Sequence, residues 1–320
     1  MIETHHVFGN YENLYGIHSK SNVGSCDNAS AAIPKTAVLM LTAGMLSSVG
    51  PSRLHVELAK SLSQRGLASF RFDLSGIGES LAVGSPGSSQ KRAAREVQQA
   101  MDLLELEYGY DRFMLFGLCS GADDAIVTAL EDPRIVCASL MDGCGYRTNR
   151  HYAGLLLRKY FPKLLSFRKW QDYLSGLLSK SKVASSTMPQ GLDIREFPSQ
   201  EQALREITTL IDRGVKLRFT YTSGVIDYYS YEKQFYDMFP SFKNRAEIAV
   251  SYHPQWDHTV MLREDRHQLI ENVTQWFTTK AATIESETTP SNTRDDKVVC
   301  SGGRSSQASE LSSYTSVYQN

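Results

Sequence analysis

The sequence predicts an α/β protein with a mostly parallel central sheet covered by helices and a helical cap inserted between two core strands. Three observations carry that expectation. Short apolar runs alternate with segments of helical periodicity through the first half of the chain and again near its end. Small residues at Gly117 and Gly121 bracket Cys119 where an apolar strand passes sharply into a helix, so one reactive side chain sits at the bend. From Tyr146 to about Arg213 the alternation stops and aromatic-rich helical patterns replace it. The expected organisation is a first core part over 1–145, a cap over 146–213, a second core part over 214–280 and a disordered tail over 281–320.

With 320 residues the chain can hold one large α/β domain with an insertion. The hydrophobic share of 41% and the formal charge of -1 give no electrostatic basis for a nucleic-acid partner. No stretch is long and apolar enough for a transmembrane segment, and the start, MIETHHVFGN, lacks the basic and apolar regions of a signal peptide. Cys26, Cys119, Cys137, Cys144 and Cys300 are odd in number and irregularly spaced, which argues against a disulfide scaffold and a compact zinc motif. A reducing, cytoplasmic setting follows, and neither a metal nor a cofactor is expected.

Taken in order, His5 to Ser19 has the irregular alternation of one or two edge strands, and Lys20 to Ala32 reads as a polar surface loop. Thr36 to Leu41 is a continuous apolar run suited to a central parallel strand. Gly44 and Met45 fall just past its carboxyl end, where open α/β sheets place their chemistry. A helix follows with Leu54, Val56, Leu58, Ala59 and Leu62 on its apolar face, then a strand over Leu67 to Phe72. The loop from Asp73 to Ser80 lacks the third glycine of a dinucleotide fingerprint. Ala93 to Leu104 marks the next helix, Met114 to Phe116 the elbow strand, and Arg134 to Met141 a further strand closing on Asp142.

In the cap, Tyr152 to Phe161 forms one helix that Pro162 interrupts, Phe167 to Leu178 continues the pattern, and Ser199 to Arg213 is a weaker helical segment. Packing over an apolar pocket suits these aromatic helices better than binding a membrane surface. The core returns with strands at Val215 to Thr222 and Glu247 to Tyr252. A last helix follows, with Val260, Leu262, Ile270, Val273 and Phe277 as its buried positions. From Thr289 onward the chain is too polar to order itself.

The chemistry is concentrated at the bend. The first turn of the following helix aims free N–H groups at Cys119, which favours a thiolate and, later, an oxyanion. Ser120 as nucleophile would leave Leu118 where a tiny residue is needed. A cysteine nucleophile needs a base and a group that orients the base. His258, after the last strand, is the expected base, with His253 as a rival restricted by Pro254. Asp227, after the preceding strand, is the expected acid, and Asp142 is the alternative. Ser120 and the Gly44-Met45 turn supply the backbone N–H groups of an oxyanion hole, while Asp123 and Asp124 are explained by helix-end electrostatics.

The order nucleophile, acid, histidine and the strand-turn-helix around Cys119 resemble the α/β-hydrolase fold, with cysteine where serine is usual. The run AGMLSSVGPSRLHVELAKSLSQRGLASFRFDLSGIGES, the elbow FGLCSGADDA and the late Asp257-His258-Thr259 segment resemble serine-aminopeptidase-like α/β-hydrolases, most closely the exosortase-associated hydrolases. That resemblance spans about Ala37 to Phe277, is weak across the cap, and implies Cys119 as nucleophile, His258 as base and Asp227 as acid. The expected activity is cysteine-dependent cleavage of an ester or thioester through an acyl-enzyme, on a small-molecule or carrier-bound acyl substrate of apolar or polyketide-like character. An acyltransferase or cyclase with the same first half-reaction, and an inert ligand-binding member of the fold, are the alternatives.

Overall fold

The computed structural model describes residues 1–22, 35–84, 87–164, 195 and 197–288. Eight strands form one sheet in the order β1-β2-β4-β3-β5-β6-β7-β8. They are β1 (Glu3–Phe8), β2 (Leu14–Ser19), β3 (Thr36–Leu41), β4 (Ala68–Asp73), β5 (Arg112–Leu118), β6 (Ile135–Met141), β7 (Lys216–Thr222) and β8 (Ile248–His253). The first two strands pair antiparallel at one edge, and every pairing from β4 to β8 is parallel.

The central strands are apolar on both faces because both faces are covered. Side chains alternate across β3: Ala37, Leu39 and Leu41 enter one cluster, Val38 and Met40 the other. Helix α1 (Leu54–Gln64) and the long last helix α7 (Arg263–Thr288) cover the second face, with Leu58, Leu62, Val273 and Phe277 buried there. Helices α2 (Ser89–Tyr108), α3 (Ser120–Glu131) and α5 (Gln200–Asp212) cover the first. Helix α4 (Asn149–Leu164) follows β6, and the short α6 (Gln234–Met238) precedes β8.

Several expectations change. The segment from Ser199, grouped with the cap from its sequence, is α5, and its residues Ala203, Ile207, Leu210 and Ile211 are buried in the core with α3. Its apolar stripe serves the β6-to-β7 crossover and so belongs to the layer over the sheet. Pro162 does not interrupt the cap's first helix but lies in its last turn, so the one i−4 hydrogen bond it removes falls near the helix end and the helix closes two residues later. Leu262 is exposed, because α7 starts one residue later and only Val260 turns inward. The helix runs on to Thr288 with Ala281 buried, so the first eight residues assigned to the tail are helical. The predicted loop from Val23 to Ala32, the helix over Phe167 to Leu178, Cys26, Cys300 and the tail from Thr289 lie outside the described residues. No helix among the described residues is long and apolar enough to cross a membrane.

Two glycines position the bend. A Cβ at Gly117 would lie 2.3 Å from the Gly121 carbonyl oxygen, and one at Gly121 would lie 2.7 Å from the carbonyls of Leu41 and Thr42. Backbone meets backbone at both points, so only glycine lets α3 fold back on β5 and β3. The Asp73-to-Ser80 loop is held by the Asp73 carboxylate, which accepts from the N–H groups of Ser48 and Glu79. That carboxylate thus ties the loop to the stretch leaving the Gly44-Met45 turn.

Candidate active site

Cys119 follows β5 directly and caps α3 with φ 57° and ψ -120°, a conformation that residues other than glycine rarely adopt. Such strain costs of order 1–3 kcal/mol and persists where surrounding contacts impose it. Here the Cys119 N–H donates to the Met141 carbonyl at 2.8 Å, and its own carbonyl accepts from Ala122 at 3.0 Å. The sulfur is lifted to the sheet's carboxyl edge and is partly accessible.

His258 lies in the loop between β8 and α7. Its Nδ1 lies 2.8 Å from Asp142 Oδ2, and the ring is near enough to Cys119 for each to shift the other's pKa. With Nδ1–H donating to the carboxylate, Nε2 is left for the sulfur. Gly224 fixes the approach: a Cβ there would stand 2.4 Å from the Cβ of His258, so the turn after β7 can close on the histidine only without a side chain.

The carboxylate that reaches the imidazole is Asp142, the alternative, and not Asp227. Asp142 leaves β6 with φ 50° and is fully buried. Its Oδ1 accepts from the Thr222 N–H at 2.8 Å, and its Oδ2 accepts from the Thr222 hydroxyl at 2.6 Å as well as from His258. Three donors compensate the burial of this charge. Asp227 is exposed beyond the turn after β7, and its backbone carbonyl accepts from Arg147 Nε at 2.7 Å. The physical reason is strand order: β6 lies directly beside β5, so its end is the shortest bridge from the bend to a histidine returning after β8. His253, the rival base, is stacked flat on Trp256 at 3.7 Å. Burial, with Arg218 nearby, pushes its pKa down.

The histidine and cysteine shift each other. Asp142 as acceptor and the partner Cys119 outweigh burial and raise the His258 pKa to about 10. Burial opposes ionisation of Cys119, but the His258 hydrogen bond, the charges of Arg195 and His258, and the Ser120 N–H more than offset it, so the thiol pKa is lowered. The pair therefore favours thiolate and imidazolium. By contrast burial pushes the thiols of Cys137 and Cys144 up to about 12.

Ser120 and the Gly44-Met45 turn are brought together, with one difference from expectation. The Gly44 N–H donates to the Ser120 hydroxyl at 2.7 Å, so the hydroxyl has a role and the Gly44 donor is engaged. Met45 is largely exposed beside it. Sequence reasoning missed three other residues. Thr222 holds Asp142, Tyr228 donates to the Asp142 carbonyl at 3.3 Å, and Arg195 contacts the sulfur. Asp123 also does more than balance a helix end. It accepts from Arg195 Nε at 2.5 Å and from the Cys144 N–H at 3.1 Å.

No protein-family model and no curated protein matches the chain. Solved structures do match its fold. An esterase of Pyrococcus furiosus superposes with a TM-score of 0.55 at 14% identity, over 87% of this chain and 91% of that one. The naproxen esterase (carboxylesterase NP) of Bacillus subtilis gives 0.51 at 14% identity over 86% and 91%. An esterase domain from Rhodothermus marinus gives 0.50 at 13% over 87% and 99%. At these identities the likeness is one of fold, and the fold is that of the α/β-hydrolases.

Proposed function

We propose that the protein is a cysteine-dependent α/β-hydrolase that cleaves an ester or thioester through a covalent acyl-enzyme. The observation that carries this reading is the convergence on one strained strand-to-helix bend of Cys119 and His258, with His258 hydrogen-bonded to the buried Asp142. In the proposed cycle the Cys119 thiolate attacks the acyl carbonyl carbon. A carbon–sulfur bond forms as the carbonyl π pair moves onto oxygen, where the N–H groups of Ser120 and Met45 receive it. Collapse of that adduct expels the alcohol or thiol, which takes its proton from His258. The neutral imidazole then removes a proton from water, the resulting hydroxide attacks the acyl carbon, and the thiolate leaves. Asp142 holds the ring and stabilises its charged form.

The fold neighbours named as esterases support this class of chemistry, and the proposal extends it to a thiol nucleophile. The resemblance to exosortase-associated hydrolases, an apolar acyl group and a lid that includes α4 belong to the same proposal. Exposed Tyr152, Leu156 and Leu157 on α4 suit a lid face that meets an apolar acyl chain. A reducing, cytoplasmic compartment fits the free thiols of Cys119, Cys137 and Cys144. Intact-mass measurement after mixing with a panel of acyl thioesters and esters tests the proposal. An acyl adduct is expected on the wild type, absent from C119A and slow to form in H258A. Turnover that survives C119A would refute it.

A further inference from the structure

Arg195 makes four contacts at the site, all to acceptors. Its Nε donates to Asp123 Oδ2 at 2.5 Å, Nη1 to the Cys119 sulfur at 3.3 Å, and Nη2 to the carbonyls of both Cys119 and Asp142 at 3.2 Å. Asp123 is buried, and the guanidinium also lies 4.7 Å over the ring of Phe197. A fork with this many fixed partners is oriented before any substrate arrives. Burial opposes its charge, but the bond and charge of Asp123 prevail and keep it cationic.

Taking Cys119 as the nucleophile of the reading above, we propose that Arg195 is a catalytic residue that holds the sulfur as a thiolate, a role distinct from that of His258. Two carbonyls and one carboxylate fix the guanidinium where a sulfur anion completes its set of acceptors. An imidazolium beside a thiolate can give its proton back and quench the nucleophile, whereas a guanidinium cannot at ordinary pH. Arg195 therefore keeps the sulfur charged while His258 is free to carry a proton to the leaving group. When the carbon–sulfur bond forms the sulfur loses its charge, and Nη1 loses its anion in the acyl-enzyme.

The test reads the thiol directly. Iodoacetamide alkylation of Cys119 in the full-length protein is followed by mass spectrometry as a function of pH, for wild type, R195K, R195Q and R195M. The two uncharged variants should move the midpoint up by about one unit and slow alkylation at pH 7 roughly tenfold. R195K should lie between them and the wild type, and added methylguanidinium should restore part of the loss. R195M leaves an unbranched apolar side chain beside Phe197, so it decides the matter if R195Q does not fold. A folded uncharged variant with the wild-type midpoint overturns the proposal, as does failure of both to fold, which would make Arg195 a strut for the surrounding loops. Because turnover is not read, a midpoint shift beside surviving turnover in C119A would uphold the thiolate contact while refuting the acyl-enzyme.

Discussion

Two basic side chains act on Cys119: His258, backed by Asp142, and Arg195, backed by Asp123. Both are cations seated on carboxylates, but they are built differently. The imidazole flank comes from the ends of β6, β7 and β8, so its parts are fixed by strand register, and its carboxylate is fully buried under Thr222. The guanidinium flank joins a helix residue to a residue just before α5, outside any strand or helix. One flank can exchange a proton and the other cannot, which separates holding a charge from moving one.

The largest break in this arrangement comes from D142N. An amide can offer the ring its N–H and favour the wrong tautomer, and the Ser-His-Asp triad loses about 10⁴-fold when so altered. The same loss is expected in the acylation rate with p-nitrophenyl acetate, measured by stopped-flow release of p-nitrophenolate. An equal loss in D227N instead would reverse the assignment of the acid.

Next comes D124N, beside the guanidinium flank. Burial and the charge of Asp123 raise the Asp124 pKa to about 7. Its folded pKa thus exceeds the unfolded value, so its contribution is fully present below about pH 4 and is lost as pH rises through 7. Removing the charge should therefore stabilise the protein by roughly 2–4 kcal/mol at pH 8 and hardly at all at pH 4. Urea unfolding at the two pH values checks this, and a gain that does not depend on pH would contradict it.

T222V is expected to be milder. It removes one donor from Asp142 while the Thr222 N–H and His258 remain, a loss of about 1–1.5 kcal/mol or roughly tenfold in acylation rate. The smallest effect is expected for D227N, within about twofold of wild type in the same assay, since its neighbour Arg147 uses only the backbone carbonyl.

The difference between the flanks also explains what was legible in the sequence. Apolar runs such as Thr36–Leu41 and the glycines around Cys119 announce strands and a bend through local rules, and those rules held in the fold. His258 was legible because it follows the last strand. Asp142 and Asp227 were not separable, because both follow strands on the correct side and only the sheet order β5-β6-β7-β8 puts one within reach. Arg195 left no signal, since a cation in an irregular stretch has no periodicity and its partners are 53 to 76 positions away. For α5 the helical period was visible, but the same stripe suits a cap or a sheet, and packing decided it.

The backbone at Cys119 has a consequence for how readily the bend would tolerate another residue. A left-handed residue that carries a side chain is a spring held closed by its neighbours, and glycine would let it relax. The sulfur thus sits at a position the polypeptide alone would assign to something smaller, and replacing the cysteine by glycine should relax the bend rather than break it.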